Sequence, residues 1–213
     1  MFKPPLRDAV FVDGPAGKLE LLVAEAAEAD APVAVICHPH PVHGGAMTNK
    51  VTHTLARAYE RCGYHAVRFN FRGVGHSDGA FDDGVGELAD LLAVMDWARA
   101  QFATEHVALG GFSFGAAMAL HASAQRAVTR LILVAPPVGR ILAPEARVPA
   151  GFPVLVVQGG ADDVVDPEAV VTWVNDQAAG IELAWMEEAG HFFHGLLPDL
   201  RTLLIDHITA DAE

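Results

Sequence analysis

A chain of 213 residues with 52% hydrophobic and 19% charged residues carries enough apolar mass for a sizeable core and is not a disordered polymer. Its net charge of -13 repels phosphate backbones and anionic membrane surfaces, which excludes nucleic acid and membrane as expected partners and makes the cytoplasm the expected location. Cys37 and Cys62 read as small buried hydrophobes rather than a disulfide framework, the opening MFKPPLRDAVFVDG has no apolar leader core, and no run reaches membrane-spanning length.

Along the chain, strand patterns alternate with helical ones. AVFVDG (9–14) and KLELLVAE (18–25), joined through Gly14-Pro15-Ala16-Gly17, predict an antiparallel pair. PVAVICH (32–38) is a continuous apolar run of the kind buried on both faces of a sheet. Val51, Leu55, Ala58 and Cys62 recur at helical spacing until Gly63 stops the pattern. YHAVRFNF (64–71) predicts a strand and leads into a glycine-rich loop, RGVGHSDGAFDDG. A helix follows with Val85, Leu88, Leu92 and Met95 on one face. HVALGG (106–111) is a strand and FGAAMALHASAQ (114–125) a helix. LILVAPP (131–137) and PVLVVQGG (153–160) are strands. PEAVVTWVNDQ (167–177) is helical, with Asp166 as N-cap and Pro167 in the first turn. IELAWME (181–187) is a strand, and the last helix spans about Phe193 to Thr209. The alternation predicts a single domain over 1–213, an α/β fold with a doubly wound, mostly parallel sheet and helices on both faces. Ligands of such sheets meet the loops at the carboxyl ends of the strands.

Those loops hold the chemistry. Ser113 stands between Gly111 and Gly115 in G-F-S-F-G, where an apolar strand meets a helix. A sharp strand-to-helix turn projects such a serine above the sheet, and the small flanking residues avoid clashes. The bland alternative is a helix N-cap serine. A serine hydroxyl needs a base, and the base an orienting acid, each after a later strand. ADDVVD offers Asp162 and Asp163, between which spacing does not choose, while Asp166 is better used as a cap. For the base, His191 follows Ala189-Gly190 in a loop, whereas His194 falls within the predicted last helix.

An oxyanion hole needs two backbone N–H groups aimed at one point. Phe114, after the nucleophile, supplies one. The loop CHPHPVHGG (37–45) supplies the other. Pro39 and Pro41 have no N–H, and the prolines on both sides of His40 stiffen its amide, so His40 is assigned. A rival reading takes His38, His40 and His43 as zinc ligands, because the segment looks like the H-x-H-x-D-H signature of metallo-β-lactamase-fold hydrolases, with Val42 in place of the carboxylate. The loop 72–84 matches neither a phosphate-binding nor a dinucleotide fingerprint. Arg72, Asp78, Asp82, Asp83 and Glu87 are expected to hold it by local hydrogen bonds.

Taken in order, HPHPVHGG (38–45), RFNFRGVGHS (68–77), GFSFG (111–115), ADDVV (161–165) and HFFHG (191–195) resemble the α/β-hydrolase superfamily over nearly the whole chain, most closely its small bacterial, dienelactone-hydrolase-like serine hydrolases. The resemblance implies an eight-stranded α/β-hydrolase fold, Ser113 as nucleophile, His191 as base and Asp162 rather than Asp163 as acid. The segment 138–152, where many relatives insert a cap domain, is too short for one, which implies a lidless, open site. The expected activity is cleavage of a carboxylic ester through an acyl-enzyme, on a small-molecule acyl substrate, with no cofactor or metal. Thioesterase, acyl-peptide hydrolase and acyltransferase activities are the alternatives within that chemistry. Outside it stand the zinc hydrolase and a non-catalytic binding protein of the same fold.

Overall fold

The structure, a computed structural model, describes residue 6, residues 8–177 and residues 180–210. Part of the segment read above for a leader, residues 1–5 and 7, lies outside them. Eight strands form one sheet: β1 (Val10–Gly14), β2 (Gly17–Ala24), β3 (Val33–Cys37), β4 (His65–Phe69), β5 (Val107–Phe112), β6 (Arg130–Val134), β7 (Val154–Gly159) and β8 (Ile181–Met186). Their order is β1-β2-β4-β3-β5-β6-β7-β8. β2 pairs antiparallel with both β1 and β4, and every pairing from β4 to β8 is parallel.

Burial explains the arrangement. β3, β5, β6 and β7 are buried at every residue, because helices cover both faces of the sheet centre. β8, at the edge, is only partly buried or exposed throughout. On one side, α2 (Val85–Phe102), α3 (Phe114–Ser123) and α4 (Pro167–Asn175) enclose a core containing Leu91, Ala117 and Trp173. On the other, α1 (Lys50–Arg61) and α5 (Leu197–Ala210) pack with Leu55, Tyr59 and Leu204 inward. The Oδ1 of Asn49 caps α1, accepting from the Val51 and Thr52 amides, and Asp166 caps α4 as expected.

Two helices depart from the expected pattern. In α2, Met95 is fully buried and Leu88 and Leu92 pack partly buried against the core as expected, but Val85 is exposed, while Glu87 and Asp90 are fully buried. Each buried acid is satisfied. Glu87 accepts from the amides of Asp82 and Gly84, and Asp90 takes the Arg72 guanidinium through both oxygens as well as the Arg72 amide. The inward face is therefore partly ionic, which an apolar period does not reveal. The last helix starts at Leu197, not Phe193, because Phe193 (φ 51°) and Gly195 (φ 80°) leave the right-handed region. His194 is thus an exposed turn residue and not part of that helix.

Both cysteines are free, Cys37 fully buried and Cys62 half-buried. Between β6 and β7 the chain makes only an isolated bridge, Val138 to Leu142, so no cap domain covers the carboxyl ends of the strands. Among the described residues no helix is long and apolar enough to cross a membrane.

Candidate active site

The carboxyl end of β5 runs straight into α3, and Ser113 occupies the junction at φ 54° and ψ -119°. That backbone is costly for a residue with a side chain and persists only where its surroundings enforce it. They do so here by close approach. A Cβ on Gly111 would stand 2.1 Å from the Gly115 carbonyl oxygen, and one on Gly115 would stand 2.5 Å from that of Cys37. The two glycines therefore let α3 sit directly against the ends of β5 and β3. Ser113 makes no side-chain cap bond to its helix. The N-cap reading of this serine fails, and its hydroxyl is turned elsewhere.

It meets His191. The Nε2 of His191 lies 3.2 Å from Ser113 Oγ, and its Nδ1 lies 2.8 Å from Asp162 Oδ2. A carboxylate only accepts, so the ring donates from Nδ1 and offers Nε2 as acceptor to the serine hydroxyl. All three residues are buried to at least nine-tenths and follow the ends of β5, β7 and β8. Asp162 is further held through Oδ1 by the amides of Val164 and Val165, both at 2.8 Å, and through Oδ2 by Gln158 Nε2 at 3.2 Å. Burial pushes its pKa up. The hydrogen bonds from His191, Val165 and Val164, with the charge of His191, outweigh burial and hold the carboxyl below its ordinary value. Asp163 is exposed and takes no part.

The loop after β3 passes over the start of α3. Pro39 is buried, and a Cβ on Gly115 would touch the His38 carbonyl oxygen at 2.6 Å as well as Cys37. The His40 ring lies 5.1 Å from that of Phe114, so the two expected amide donors belong to packed neighbours. Phe114 is the first residue of α3 and has no carbonyl a turn earlier to bond. The His40 amide has no acceptor among the described residues, while its carbonyl takes the amides of His43 and Gly45.

His38 has a different task from the one a zinc site would give it. Its Nδ1 lies 2.6 Å from the Pro39 carbonyl oxygen, and its Nε2 accepts from the Phe71 amide at 3.1 Å. Both ring nitrogens are thus occupied, and burial pushes its pKa down to about 4. It does not join His40 and His43, whose rings are 4.6 Å apart, and no group of three His, Cys, Asp or Glu converges among the described residues. Burial, and then the neighbouring His43, also lower the His40 pKa.

The triad opens into a cleft of about 480 Å³. His40, His43 and Asn49 line it together with Pro137, Arg140, Ile141, Val164 and Phe192. Cavities of this size suit small organic ligands.

Residues 18–141 match the model of a family described as X-Pro dipeptidyl-peptidase (S15 family). The chain belongs to the S15 family of α/β serine hydrolases. A serine hydrolase homologue from Coxiella burnetii is 40% identical, with 95% of this chain and 98% of that one covered and a TM-score of 0.87. A Xanthomonas campestris protein described as an α/β serine hydrolase without lid is 42% identical over 98% and 97% of the two chains, with a TM-score of 0.86. An uncharacterized Rickettsia prowazekii protein is 33% identical over 209 residues, 93% of this chain and 87% of its own. The S15 match covers the serine elbow and the loop after β3 but ends before Asp162 and His191.

The structure also adds residues that sequence reasoning did not single out. Asn70 bonds the Met47 amide through Oδ1 and buried Glu20 through Nδ2, steadying the far end of the loop after β3. Arg140 reaches across the cleft wall to the Val164 carbonyl oxygen, 2.7 Å away. The signal for Asn70 was its place in RFNFRG at a strand end. Arg140 had none beyond lying in the short stretch where a cap is missing.

Proposed function

We propose that this S15-family serine hydrolase cleaves carboxylic esters of small acyl substrates through an acyl-enzyme. The observation that carries the reading is the relay of short contacts from Asp162 through His191 to a serine held in a strained backbone. In this reading Ser113 Oγ attacks the acyl carbon as its proton passes to His191 Nε2. Asp162 holds the Nδ1–H tautomer and stabilises the imidazolium. The Phe114 and His40 amides hold the oxyanion. His191 then protonates the leaving alkoxide, and afterwards takes a proton from the water that releases the acid and restores Ser113. No cofactor enters these steps. An open cleft admits that water readily. A cytoplasmic location agrees with two free thiols and an acidic surface.

A second reading, cleavage of peptides from a free N-terminus, is favoured by the description of the family model. The cleft argues against it. A free α-amine needs a carboxylate to receive it, and among the described residues no Asp or Glu lines the cleft. A panel of 4-nitrophenyl esters, acyl-thioesters and Xaa-Pro-4-nitroanilides, run on wild type and Ser113→Ala, tests both. Ester turnover that vanishes with Ser113 supports the first. Faster turnover of the anilides would put the peptidase reading in its place.

A further inference from the structure

Among the described residues, the polar lining of the cleft holds no carboxylate. Outside the triad it consists of Arg140, Asn49, His40 and His43 together with main chain. Asn49 spends its Oδ1 on the cap of α1, which leaves its amide N–H groups to face other partners. Arg140 gives one donor, through Nη1, to Val164 O, and a guanidinium has five. Among the described residues no carboxylate lies within ion-pair distance of it. In a chain of net charge -13, an arginine without an acidic partner thus stands anchored at the wall of a cleft that no Asp or Glu lines among the described residues. Beside it Ile141, Val164 and Phe192 are 38%, 40% and 44% exposed and form an apolar rim.

We propose that the substrates of this site are esters that carry a second, anionic group, a carboxylate, which Arg140 receives while the apolar rim takes the carbon chain between carboxylate and ester. The inference rests on the ester-hydrolase reading above and narrows it to a substrate class. Anchoring by Val164 O removes part of the rotamer freedom that makes exposed ion pairs weak, and the free edge of the guanidinium suits a carboxylate in a two-bond fork. The same charge disfavours cationic substrates.

The test compares three 4-nitrophenyl esters of equal acyl length, the monoester of adipate, the hexanoate and the 6-aminohexanoate, on wild type, Arg140→Gln, Arg140→Lys and Arg140→Glu. A second pair, 3-carboxy-4-nitrophenyl butyrate and 4-nitrophenyl butyrate, places the carboxylate on the leaving group instead. Wild type should prefer the carboxylate member of at least one pair by about five- to tenfold in kcat/KM, and the preference should shrink with added salt. Arg140→Gln should bring that ratio near one, Arg140→Lys should keep part of it, and Arg140→Glu should favour the aminohexanoate. Ratios near one in wild type for both pairs, or ratios untouched by Arg140→Gln, overturn the proposal. Calorimetric titration of Ser113→Ala with free adipate separates this failure from failure of the hydrolase reading, since it needs no turnover. Adipate binding that Arg140→Gln weakens at least fivefold in that background upholds the anion site even if no ester is cleaved. Absence of binding there counts against it.

Discussion

The Nδ1 of His38 lies 2.6 Å from the carbonyl oxygen of the very next residue, Pro39. A trans peptide is planar, with its C=O and N–H pointing in opposite directions. Fixing the Pro39 carbonyl therefore fixes the direction of the His40 N–H, which belongs to the same peptide unit. Phe71, just past β4, locks the ring from its other side by donating to Nε2. A buried histidine thereby aims the amide we assign to the oxyanion. His38→Ala should lower kcat for activated esters by about 10²-fold, with KM changed far less, because a donor is lost only where charge develops. His38→Asn, whose amide nitrogen can stand in for Nδ1, should recover part of that loss. Equal KM and kcat effects in both variants would mark His38 as merely structural.

The same ring sets an acid-side slope in stability. His38 titrates near 4 when folded and near 6.5 when unfolded. Between those values the unfolded chain binds more protons, so stability is fully present above about pH 6.5 and falls as pH drops towards 4. From pH 7 to pH 5 this single group removes roughly 2 kcal/mol. Asp162, whose carboxyl is held below its ordinary value, adds a further loss only at lower pH, as the solution passes through its folded pKa. Urea unfolding at pH 7 and pH 5 should show a smaller pH difference for His38→Asn than for wild type.

Asp162 and Asp163 are neighbours with opposite fates. Asp162 is buried against His191, while Asp163 faces solvent. Asp162→Asn keeps the shape but loses the acceptor that fixes the imidazole tautomer, so kcat should fall by about 10³- to 10⁴-fold. Asp163→Asn should stay within twofold of wild type. Steady-state rates on one activated ester compare them directly.

Gly115 allows α3 to rest on the end of β3. A methyl group there would stand 2.5 Å from the Cys37 oxygen, and backbone cannot swing aside as a flexible side chain can. Gly115→Ala should destabilise by about 1–3 kcal/mol and should cost activity beyond that, since the start of α3 carries the Phe114 amide. Thermal melts together with rates measured well below the melting temperature separate the two effects.

What sequence could reveal follows from the range of the forces involved. The central strands were legible because they are mostly apolar, β1 and β2 because a Gly-Pro turn joins two alternating runs, and the Ser-Asp-His order because each residue follows its own strand in turn. Asp162 needed more than spacing, since two adjacent acids share one loop: the family resemblance implies Asp162, and in the structure burial and the bond to His191 separate the two. The buried face of α2 is legible only in part: Met95, Leu88 and Leu92 pack as the period predicts, while Glu87 and Asp90 also lie inward, each satisfied by partners from the loop before the helix. The start of the last helix was placed early because a positive φ at Phe193, a non-glycine residue, leaves no mark in composition. The task of His38 was hidden for a related reason. Its ligand-like spacing to His40 and His43 is visible in the sequence, while the Phe71 amide that occupies its Nε2 comes from a different strand end.

The most direct test of the central claim is the intact mass of the protein after treatment with a fluorophosphonate. The account predicts one stoichiometric adduct on the peptide containing Ser113, none in Ser113→Ala, and much slower labelling in His191→Ala. Equal labelling of wild type and Ser113→Ala, or no adduct on a folded wild-type protein, would contradict it.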